Sequence, residues 1–303
     1  MFCYKFCYMF MSLNLIPFCF IIAIFGPIPS YSSGPNTDYC KLQCPPGTSH
    51  TVCDRKNRCG VIAPCKVLES TVAFRKHMLD VHNQRRDDVA SGKEKGPYNN
   101  PGAKNMNALS YDMELEYLAS CWNNKCNKIF EHDTCRSSKR WVVGQNMYIS
   151  TNKNATAEAI PKWFDEIKFI TDANWLKNFN DNNFPKDGNQ RGHFTQLIWG
   201  NVEYIGCSMV LKNEYKKIIQ LICNYGPAGN FLDTSVYQFA SNPSEIASMC
   251  KDGKKNSQFT SLCGDIKPIP TEPMWAGASQ LMPMFLLLNI TLFSVFCFAA
   301  VQR

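Results

Sequence analysis

Apolar residues recur with helical spacing in three segments of the chain. These are residues 67–91, residues 112–126, where Asp112 can cap the first turn, and a stretch around residues 160–167. Their apolar positions are, in chain order, Leu68, Val72 and Leu79, then Leu115, Leu118, Ala119 and Trp122, and then Ile160, Trp163, Phe164 and Ile167. The spacing predicts three helices that each bury one face, the third with Pro161 near its first turn or at a kink.

Two apolar runs, 205–211 and 218–225, are separated by the polar stretch 212–217. This arrangement predicts a β-hairpin. In that register Cys207 and Cys223 fall opposite each other, so a disulfide between them is geometrically plausible.

A third strand is predicted over residues 142–149, where side chains alternate between two faces. One face carries a single polar residue, Gln145, among apolar neighbours. Residues 174–192 are rich in Asn, Asp and Gly and are predicted to be a loop. Helices interspersed with antiparallel strands favour an α+β fold, in which helices pack on an antiparallel sheet.

The first 33 residues have the pattern of a secretory signal peptide. Lys5 precedes an apolar stretch from residue 9 to residue 28, and cleavage is expected between residues 30 and 33. The apolar stretch is long for a signal, so an uncleaved anchor is the alternative.

A second apolar stretch, residues 281–301, is long enough to span a bilayer. It follows a linker, residues 266–280, whose positions 276–279 are small, so the hydrophobic tail 281–303 is interpreted as a GPI-attachment signal. The polar spacer is shorter than such signals have, and a single-pass membrane anchor is the alternative. Either interpretation predicts attachment to a membrane through the tail.

Sixteen cysteines, together with a signal peptide, indicate an oxidising compartment. Three lie in the signal peptide and Cys297 lies in the tail, so twelve remain and predict six disulfides. Five of the twelve crowd into an N-terminal extension, residues 34–66, and two fall in a C-terminal extension, residues 233–265. No CxxC pair occurs, which argues against a zinc cluster. The twelve are Cys40, Cys44, Cys53, Cys59, Cys65, Cys121, Cys126, Cys135, Cys207, Cys223, Cys250 and Cys263.

Composition excludes several classes of protein. The net charge is +7, with lysine and arginine scattered among acids, so nucleic acid is not an expected partner. At 45% hydrophobic and 19% charged, the chain is not disordered throughout. Between the two ends no uncharged run of about 20 residues occurs, which excludes a multi-span membrane protein.

Two histidines, His132 and His193, stand near polar residues where predicted elements begin or end. With Glu166 they could hold Zn²⁺ through two imidazoles and a carboxylate, with an open fourth position. The alternative is that both histidines are structural. Cys121 is not a papain-like nucleophile, because no histidine lies far enough downstream, and it is interpreted as a disulfide partner.

Several longer motifs resemble the CAP superfamily, which comprises cysteine-rich secretory proteins, antigen 5 and pathogenesis-related proteins. The resemblance extends over roughly residues 39–263, with a CAP domain at residues 67–232, and the N-terminal cysteines resemble the extension of insect antigen 5 proteins. The motifs are Gly192-His193-Phe194-Thr195-Gln196-Leu197-Ile198-Trp199, Leu221-Ile222-Cys223-Asn224-Tyr225-Gly226-Pro227-Ala228-Gly229-Asn230-Phe231, His82-Asn83-Gln84-Arg85-Arg86, Ala103-Lys104-Asn105-Met106, His132-Asp133-Thr134-Cys135 and Gly144-Gln145-Asn146. The resemblance implies an α-β-α sandwich.

The family's central cleft carries two histidines and two glutamates. By motif position these become His132, Gln145, Glu166 and His193, with Gln145 departing from glutamate as in antigen 5 members. A neutral amide cannot act as a base and is a weaker metal ligand than a carboxylate. The resemblance therefore implies no required cofactor and leaves zinc as a candidate ligand only.

The resemblance also implies the disulfide pairing, and the sequence itself contains a modification motif. In antigen 5 proteins the corresponding bridges would be Cys40–Cys53, Cys44–Cys135, Cys65–Cys126 and Cys207–Cys223, and the additional cysteines would form Cys59–Cys121 and Cys250–Cys263. Asn154 begins an exposed glycosylation sequon, Asn-Ala-Thr.

The resemblance implies an extracellular, non-enzymatic binding module, secreted or tethered to the outer cell surface. Some family members carry fatty acids, eicosanoids or sterols, so a lipid or another small hydrophobic ligand is an expected partner. Trp163, Phe164 and Phe169 are candidates to line its groove, although burial in the core is the favoured interpretation of Trp163 and Phe164.

Two alternatives stay open. One is a protein-ligand role in extracellular signalling, adhesion or host interaction, through surface loops such as residues 93–105 and 174–189, with an unidentified partner. The other is a metal-assisted hydrolase that uses His132 and His193, with Glu166 as its charged acid.

Overall fold

The computed structural model describes residues 37–271, apart from Ser70, residues 128–129, residues 181–183 and Glu214. The predicted signal peptide and the hydrophobic tail lie outside the described residues. Within those residues, no helix combines the length and the apolar character that crossing a membrane requires.

The sheet has five strands. They are β1 (Lys66–Glu69), β2 (Ser110–Tyr111), β3 (Gly144–Ser150), β4 (Tyr204–Asn213) and β5 (Ile218–Gly226). The order across the sheet is β1-β4-β5-β3, with every one of these pairs antiparallel, and β2 pairs in parallel with the start of β4. The α+β fold predicted from the sequence is confirmed.

Six α-helices surround the sheet in the described part of the chain. They are α1 (Thr51–Asp54), α2 (Val72–Ala90), α3 (Met113–Asn123), α4 (Ala155–Phe164), α5 (Asn174–Lys177) and α6 (Gly192–Leu197). Short 3-10 turns cover Tyr39–Lys41, Asp165–Phe169, Pro243–Glu245 and Lys251–Gly253.

Alternation along β5 divides the core into two layers, because successive side chains of a strand point to opposite faces. Leu221, Cys223 and Tyr225 belong to the main core with residues of α2 and α4. Ile222 instead packs with Trp122 and its neighbours on α3. Helices therefore cover both faces of the sheet, which is the sandwich that the resemblance implied.

The predicted second helix begins where its cap indicated. The Asp112 side chain accepts a hydrogen bond from the Leu115 amide at 3.0 Å, and α3 follows directly. Such a cap satisfies one of the amides that the first helical turn leaves unpaired.

The structure corrects the first predicted helix. Lys66, Val67 and Glu69 pair with β4, so this stretch is an edge strand and not the start of a helix. The helix begins at Val72, because the Thr71 hydroxyl accepts a hydrogen bond from the Phe74 amide at 3.1 Å and caps it.

Two further boundaries differ from the prediction. The third helix begins at Ala155, so Pro161 lies in its last turn and not in its first. The predicted loop over residues 174–192 contains the short helix α5. The first difference concerns where an element starts, which local spacing defines poorly. The second is a helix of only four residues, too short to show a helical repeat.

Six disulfides link the described residues, and they are the pairs that the resemblance implied. They are Cys40–Cys53, Cys44–Cys135, Cys59–Cys121, Cys65–Cys126, Cys207–Cys223 and Cys250–Cys263. Cys207 and Cys223 are direct cross-strand partners between β4 and β5, as the predicted hairpin register required.

A buried arginine joins α2 to the segment around α6. The Arg86 guanidinium is fully buried and donates hydrogen bonds to the carbonyl oxygens of Asn107 at 2.8 Å and of Leu197 and Trp199 at 2.9 Å each. Burial lowers the pKa of Arg86 to about 9. The cation is therefore held by backbone carbonyls.

The C-terminal part of the described chain runs along the β2 side of the sheet. The Lys267 amide donates to the Ser110 hydroxyl at 2.9 Å. Three residues later the Pro270 carbonyl accepts a hydrogen bond from Arg75 at 2.8 Å. Arg75 also forms a buried ion pair with Glu116, so it is a fixed point of attachment.

Candidate functional site

The four predicted cleft residues come from four separate elements. His132 lies in the extended segment before β3, Gln145 is the second residue of β3, Glu166 lies in the 3-10 turn after α4, and His193 is the second residue of α6. Hydrogen bonds join His132 to Gln145 and His193 to Glu166. Asn146, the residue after Gln145 on β3, donates a hydrogen bond to the His193 carbonyl at 3.0 Å, so the two pairs lie in one region.

In the first pair, a carboxylate holds an imidazole. Glu166 Oε1 accepts a hydrogen bond from His193 Nδ1 at 2.7 Å. Glu166 Oε2 accepts from the backbone amides of His193 and Phe194, both at 3.0 Å. The carboxylate therefore fixes the ring and the helix start that carries it, and both of its oxygens are engaged.

In the second pair, an amide has the corresponding position. Gln145 Oε1 accepts from the Asp133 backbone amide at 3.2 Å and lies 2.9 Å from His132 Nδ1. Gln145 Nε2 donates to Asn224 Oδ1 at 3.0 Å. Since a backbone amide can only donate, the oxygen of Gln145 must face it, and this sets the amide orientation.

The surroundings of His132 determine the direction in which its pKa shifts. Burial lowers the pKa of His132, and the nearby charges of Arg136 and His193 act in the same direction. The hydrogen bond that His132 Nδ1 donates to Gln145 Oε1 opposes this shift without cancelling it. His132 is therefore biased toward its neutral form.

Behind His193 lies a buried polar chain that the sequence alone does not assemble. The His193 carbonyl accepts a hydrogen bond from Asn146 Nδ2 at 3.0 Å, and the same nitrogen donates to the Tyr225 hydroxyl at 3.2 Å. The Tyr225 oxygen is 2.9 Å from Nε2 of His82, a residue with no solvent exposure. Asn146, Tyr225 and His82 all lie within the recognised motifs, but nothing in those motifs shows that they contact one another.

His82 is held neutral in this chain. Its Nδ1 lies 2.6 Å from the Met78 carbonyl, which can only accept, so this nitrogen carries the proton and Nε2 accepts from Tyr225. Burial lowers the pKa of His82 to about 4, and the charge of Arg86 also lowers it. The indole ring of Trp163 stacks on His193 with centroids 6.0 Å apart.

On the other side of the cleft, Asp133 ties His132 to the N-terminal extension. Asp133 Oδ1 accepts from the Thr51 hydroxyl at 2.7 Å and from the Cys135 amide at 3.2 Å. Burial raises the pKa of Asp133 to about 6. The disulfide Cys44–Cys135 fixes the same segment covalently.

The structure does not group His132, His193 and Glu166 as the three zinc ligands considered from the sequence. Among the described residues, no group of three or more His, Cys, Asp or Glu side chains has the arrangement of a metal site. Glu166 uses both oxygens in hydrogen bonds and supports His193, as a carboxylate behind a metal-bound histidine does. Of the three candidate ligands, only the imidazoles of His132 and His193 remain. The Nδ1 atom of each is already in a hydrogen bond.

Two groups of predicted binding residues are less accessible than a binding role needs. Trp163 is 2% exposed and Phe164 is 5% exposed, and both belong to the main core, as the favoured interpretation held. Phe169 is half-buried under Arg191 and Lys168.

The loop 93–105 is also partly interior, because it buries Tyr98, Asn100, Gly102 and Ala103. Asn154 of the sequon is exposed at the start of α4.

The fold and the cleft together define a CAP-type domain. Residues 79–225 match the family model described as CAP, the cysteine-rich secretory protein family. The chain belongs to this family. It is 39% identical over 225 residues to venom allergen 5.02 of Dolichovespula maculata, a match that covers 70% of this chain and 99% of that protein. It is also 37% identical to venom allergen 5 of Vespula pensylvanica, over 66% of this chain and 98% of that protein.

Solved structures give the same result. A crystal structure of NaASP2 with Zn²⁺ matches with a TM-score of 0.52 and 26% identity, over 68% of this chain and all of that one. A crystal structure of Na-ASP-1 matches with a TM-score of 0.53 and 26% identity, over 77% of this chain and 52% of that one. The predicted resemblance to antigen 5 is confirmed.

Proposed function

We propose that this protein is a non-enzymatic extracellular binding module, tethered to the outer cell surface through its C-terminal tail. One observation carries the proposal: the acid–base groups of the cleft are engaged in fixed hydrogen bonds. Glu166 accepts three of them, and the family's second glutamate is the neutral Gln145. Such a cleft presents a shaped polar surface without a free carboxylate.

Further contacts support a binding role over hydrolysis. Every cysteine of the described residues is in a disulfide, so none offers a thiol nucleophile. In the same part of the chain, neither cleft imidazole makes a hydrogen bond to a serine or threonine hydroxyl. Triad-type catalysis needs a nucleophile within hydrogen-bond reach of its base.

The ligand we propose is a fatty acid, a sterol or another small apolar molecule at the rim of the cleft. Val142 is 60% exposed two residues before β3, and its carbonyl accepts from the Ala228 amide at 2.9 Å. Phe231 is 45% exposed and follows Asn230, which donates to the Gly192 carbonyl beside His193 at 2.9 Å. Exposed apolar side chains on segments that border a polar cleft suit an amphipathic ligand.

Native mass spectrometry tests the binding role. The full chain, made in an oxidising eukaryotic host, would be measured alone and after incubation with palmitate and with cholesterol. A lipid adduct is expected, and the double substitution Val142→Ser, Phe231→Ser should reduce it at least about tenfold, since two apolar contacts of about 1 kcal/mol each are lost. The matched control is Met249→Ser, an exposed apolar residue in the C-terminal extension. No adduct with either lipid would overturn the lipid-binding proposal.

A second measurement tests the absence of catalysis. Hydrolysis of a panel of ester and peptide substrates would be compared between the native chain and His132→Ala, His193→Ala. Equal background rates are expected. A rate in the native chain that disappears in the double variant would restore the metal-assisted hydrolase.

A further inference from the structure

The motif at Asn154 has no part in the proposed binding role. Asn154-Ala155-Thr156 is an acceptor motif for N-linked glycans, which secreted proteins carry on their surface. Asn154 is exposed at the N-terminus of α4, and its side chain makes no capping hydrogen bond. A glycan on this side chain therefore replaces no cap of the helix.

A nearby carboxylate fixes the turn that carries Asn154. Glu158, one turn along α4, accepts hydrogen bonds from the hydroxyls of Tyr148 at 3.2 Å and Ser150 at 3.1 Å. It also accepts one from the Asn152 side chain. The Glu158 amide in turn donates to the Asn154 carbonyl at 3.2 Å. The end of β3 and the start of α4 are thus held together, with Asn154 at their junction.

β3 leaves part of its outer edge uncovered. It is the outermost strand on the side of the sheet opposite β1. The Met147 carbonyl accepts a hydrogen bond from the Trp163 indole at 3.1 Å, so it points away from β5. Residues two apart in a strand direct their backbone groups to the same side, so the amide and carbonyl of Ile149 also point outward. Within the described ranges no side chain or loop bonds to them, and Ile149 is 42% exposed.

An open edge of this kind is a place where a second chain can pair. Proteins cover or blunt such edges, because an outward amide and carbonyl are a template for another strand. The Trp163 indole covers the edge at Met147, and Asn154 follows Ile149 by five residues across the turn that Glu158 holds. A glycan is bulky and solubilising, so at Asn154 it stands where the cover by Trp163 ends.

We propose that Asn154 carries an N-linked glycan that covers the outer edge of β3 around Ile149. This inference rests on the proposed extracellular role, because the acceptor must pass through the secretory route. In the transfer, Nδ2 of Asn154 forms a bond to the first sugar carbon of a lipid-linked oligosaccharide. The bond from that carbon to the lipid diphosphate breaks, and one amide proton leaves with the diphosphate.

Peptide mapping tests the modification. The full chain would be made in a eukaryotic host and treated with peptide N-glycosidase in heavy-oxygen water, which converts a glycosylated asparagine into labelled aspartate. Label at position 154 is expected in most of the surface-exposed chain. Thr156→Ala should abolish the label, whereas Thr156→Ser keeps the motif and should retain it. Chain at the cell surface with an unmodified Asn154 would overturn the proposal, and chain that stays inside the cell would overturn the extracellular role instead.

Removal of the glycan tests what it covers. The folded chain, before and after enzymatic deglycosylation, would be compared by light scattering in the same mild detergent. Deglycosylation should raise the dimer fraction severalfold, because the β3 edge becomes available for pairing. Ile149→Lys should suppress this rise, since a charged side chain blunts an edge. The matched control is Met249→Lys, at an exposed apolar residue in the C-terminal extension, which should leave the rise unchanged.

Two outcomes would overturn the covering role. One is a dimer fraction that deglycosylation leaves unchanged, and the other is a rise that both lysine variants suppress equally. Deglycosylation of the native chain needs no variant, so an unstable Ile149→Lys chain leaves the first comparison intact.

Discussion

The two halves of the cleft have the same geometry with different electrostatics. Each histidine has its Nδ1 paired with a side-chain oxygen, but Glu166 supplies a charged oxygen to His193 and Gln145 supplies a neutral one to His132. Each oxygen-bearing side chain also accepts backbone amides. The comparison teaches that an amide can replace a carboxylate as a structural acceptor, provided that its NH₂ group also finds an acceptor, here Asn224.

The largest expected effect is a pH dependence of stability that comes from His82, the buried histidine behind His193. His82 has a pKa of about 4 in the folded chain against 6.5 ordinarily, so the unfolded chain binds its proton more readily. Stability should therefore fall as pH decreases from 6.5 to 4, by about 3 kcal/mol from this residue alone. Urea unfolding of the native chain and of His82→Gln at both ends of this range measures the effect. The exposed His77→Gln on the same helix is the control, and equal pH dependence in the native and His82→Gln chains would contradict the expectation.

Truncation of Glu166 and truncation of Gln145 should lower the free energy of unfolding by different amounts. Glu166→Ala leaves two backbone amides and an imidazole N–H without their acceptor, so we expect a loss of about 2 kcal/mol in the free energy of unfolding. Gln145→Ala removes neutral hydrogen bonds only and should cost about 1 kcal/mol. Urea denaturation at neutral pH measures both. Equal losses would show that the charge of Glu166 adds nothing to its hydrogen bonds.

Restoring the family's carboxylate should change metal binding. Gln145→Glu places an anion next to His132 Nδ1, so that each cleft histidine has a carboxylate partner. A carboxylate behind a histidine strengthens it as a metal ligand, so zinc affinity should rise at least about tenfold. Titration of the metal-free chain with zinc against a chelator measures the change. Gln84→Glu, on the exposed face of α2, adds the same charge elsewhere and should leave the affinity unchanged. An equal gain in both variants would point to general electrostatics.

The substitution Gln145→Glu should also raise the pKa of His132, and this is the smallest of the expected effects. An adjacent carboxylate favours the charged imidazole, so the pKa of His132 should rise in Gln145→Glu, against the lowering that burial causes. Proton NMR titration of the histidine ring signals follows this directly. No shift in Gln145→Glu would mean that the introduced carboxylate turns away from the ring.

The sequence predicted the fold through local signals that the structure reproduces. Asp112 capped its helix, and the hairpin register placed Cys207 opposite Cys223. The edge strand β1 was missed because Leu68 and Val72 also fit a helical stripe, and four residues contain too little pattern to separate the two.

The sequence identified which residues form the cleft, but not which of them contact one another. The motifs identified all four positions, whereas the partner of each histidine depends on how four elements meet. The chain from His82 through Tyr225 and Asn146 joins one helix and two strands, and no local spacing encodes it. The burial of Trp163, in contrast, was the favoured interpretation of its helical spacing, and the packing of α4 on the sheet agrees with it.

The short helix that carries His193 is held between two opposite charges. α6 has six residues, too few to be stable alone. The carboxylate of Glu166 meets its first amides, and the guanidinium of Arg86 meets the Leu197 carbonyl at its last residue. An anion at the start and a cation at the end both match the direction of the helix dipole. The position of one cleft histidine is therefore set electrostatically from outside its own helix, by two residues that lie 80 positions apart in the sequence.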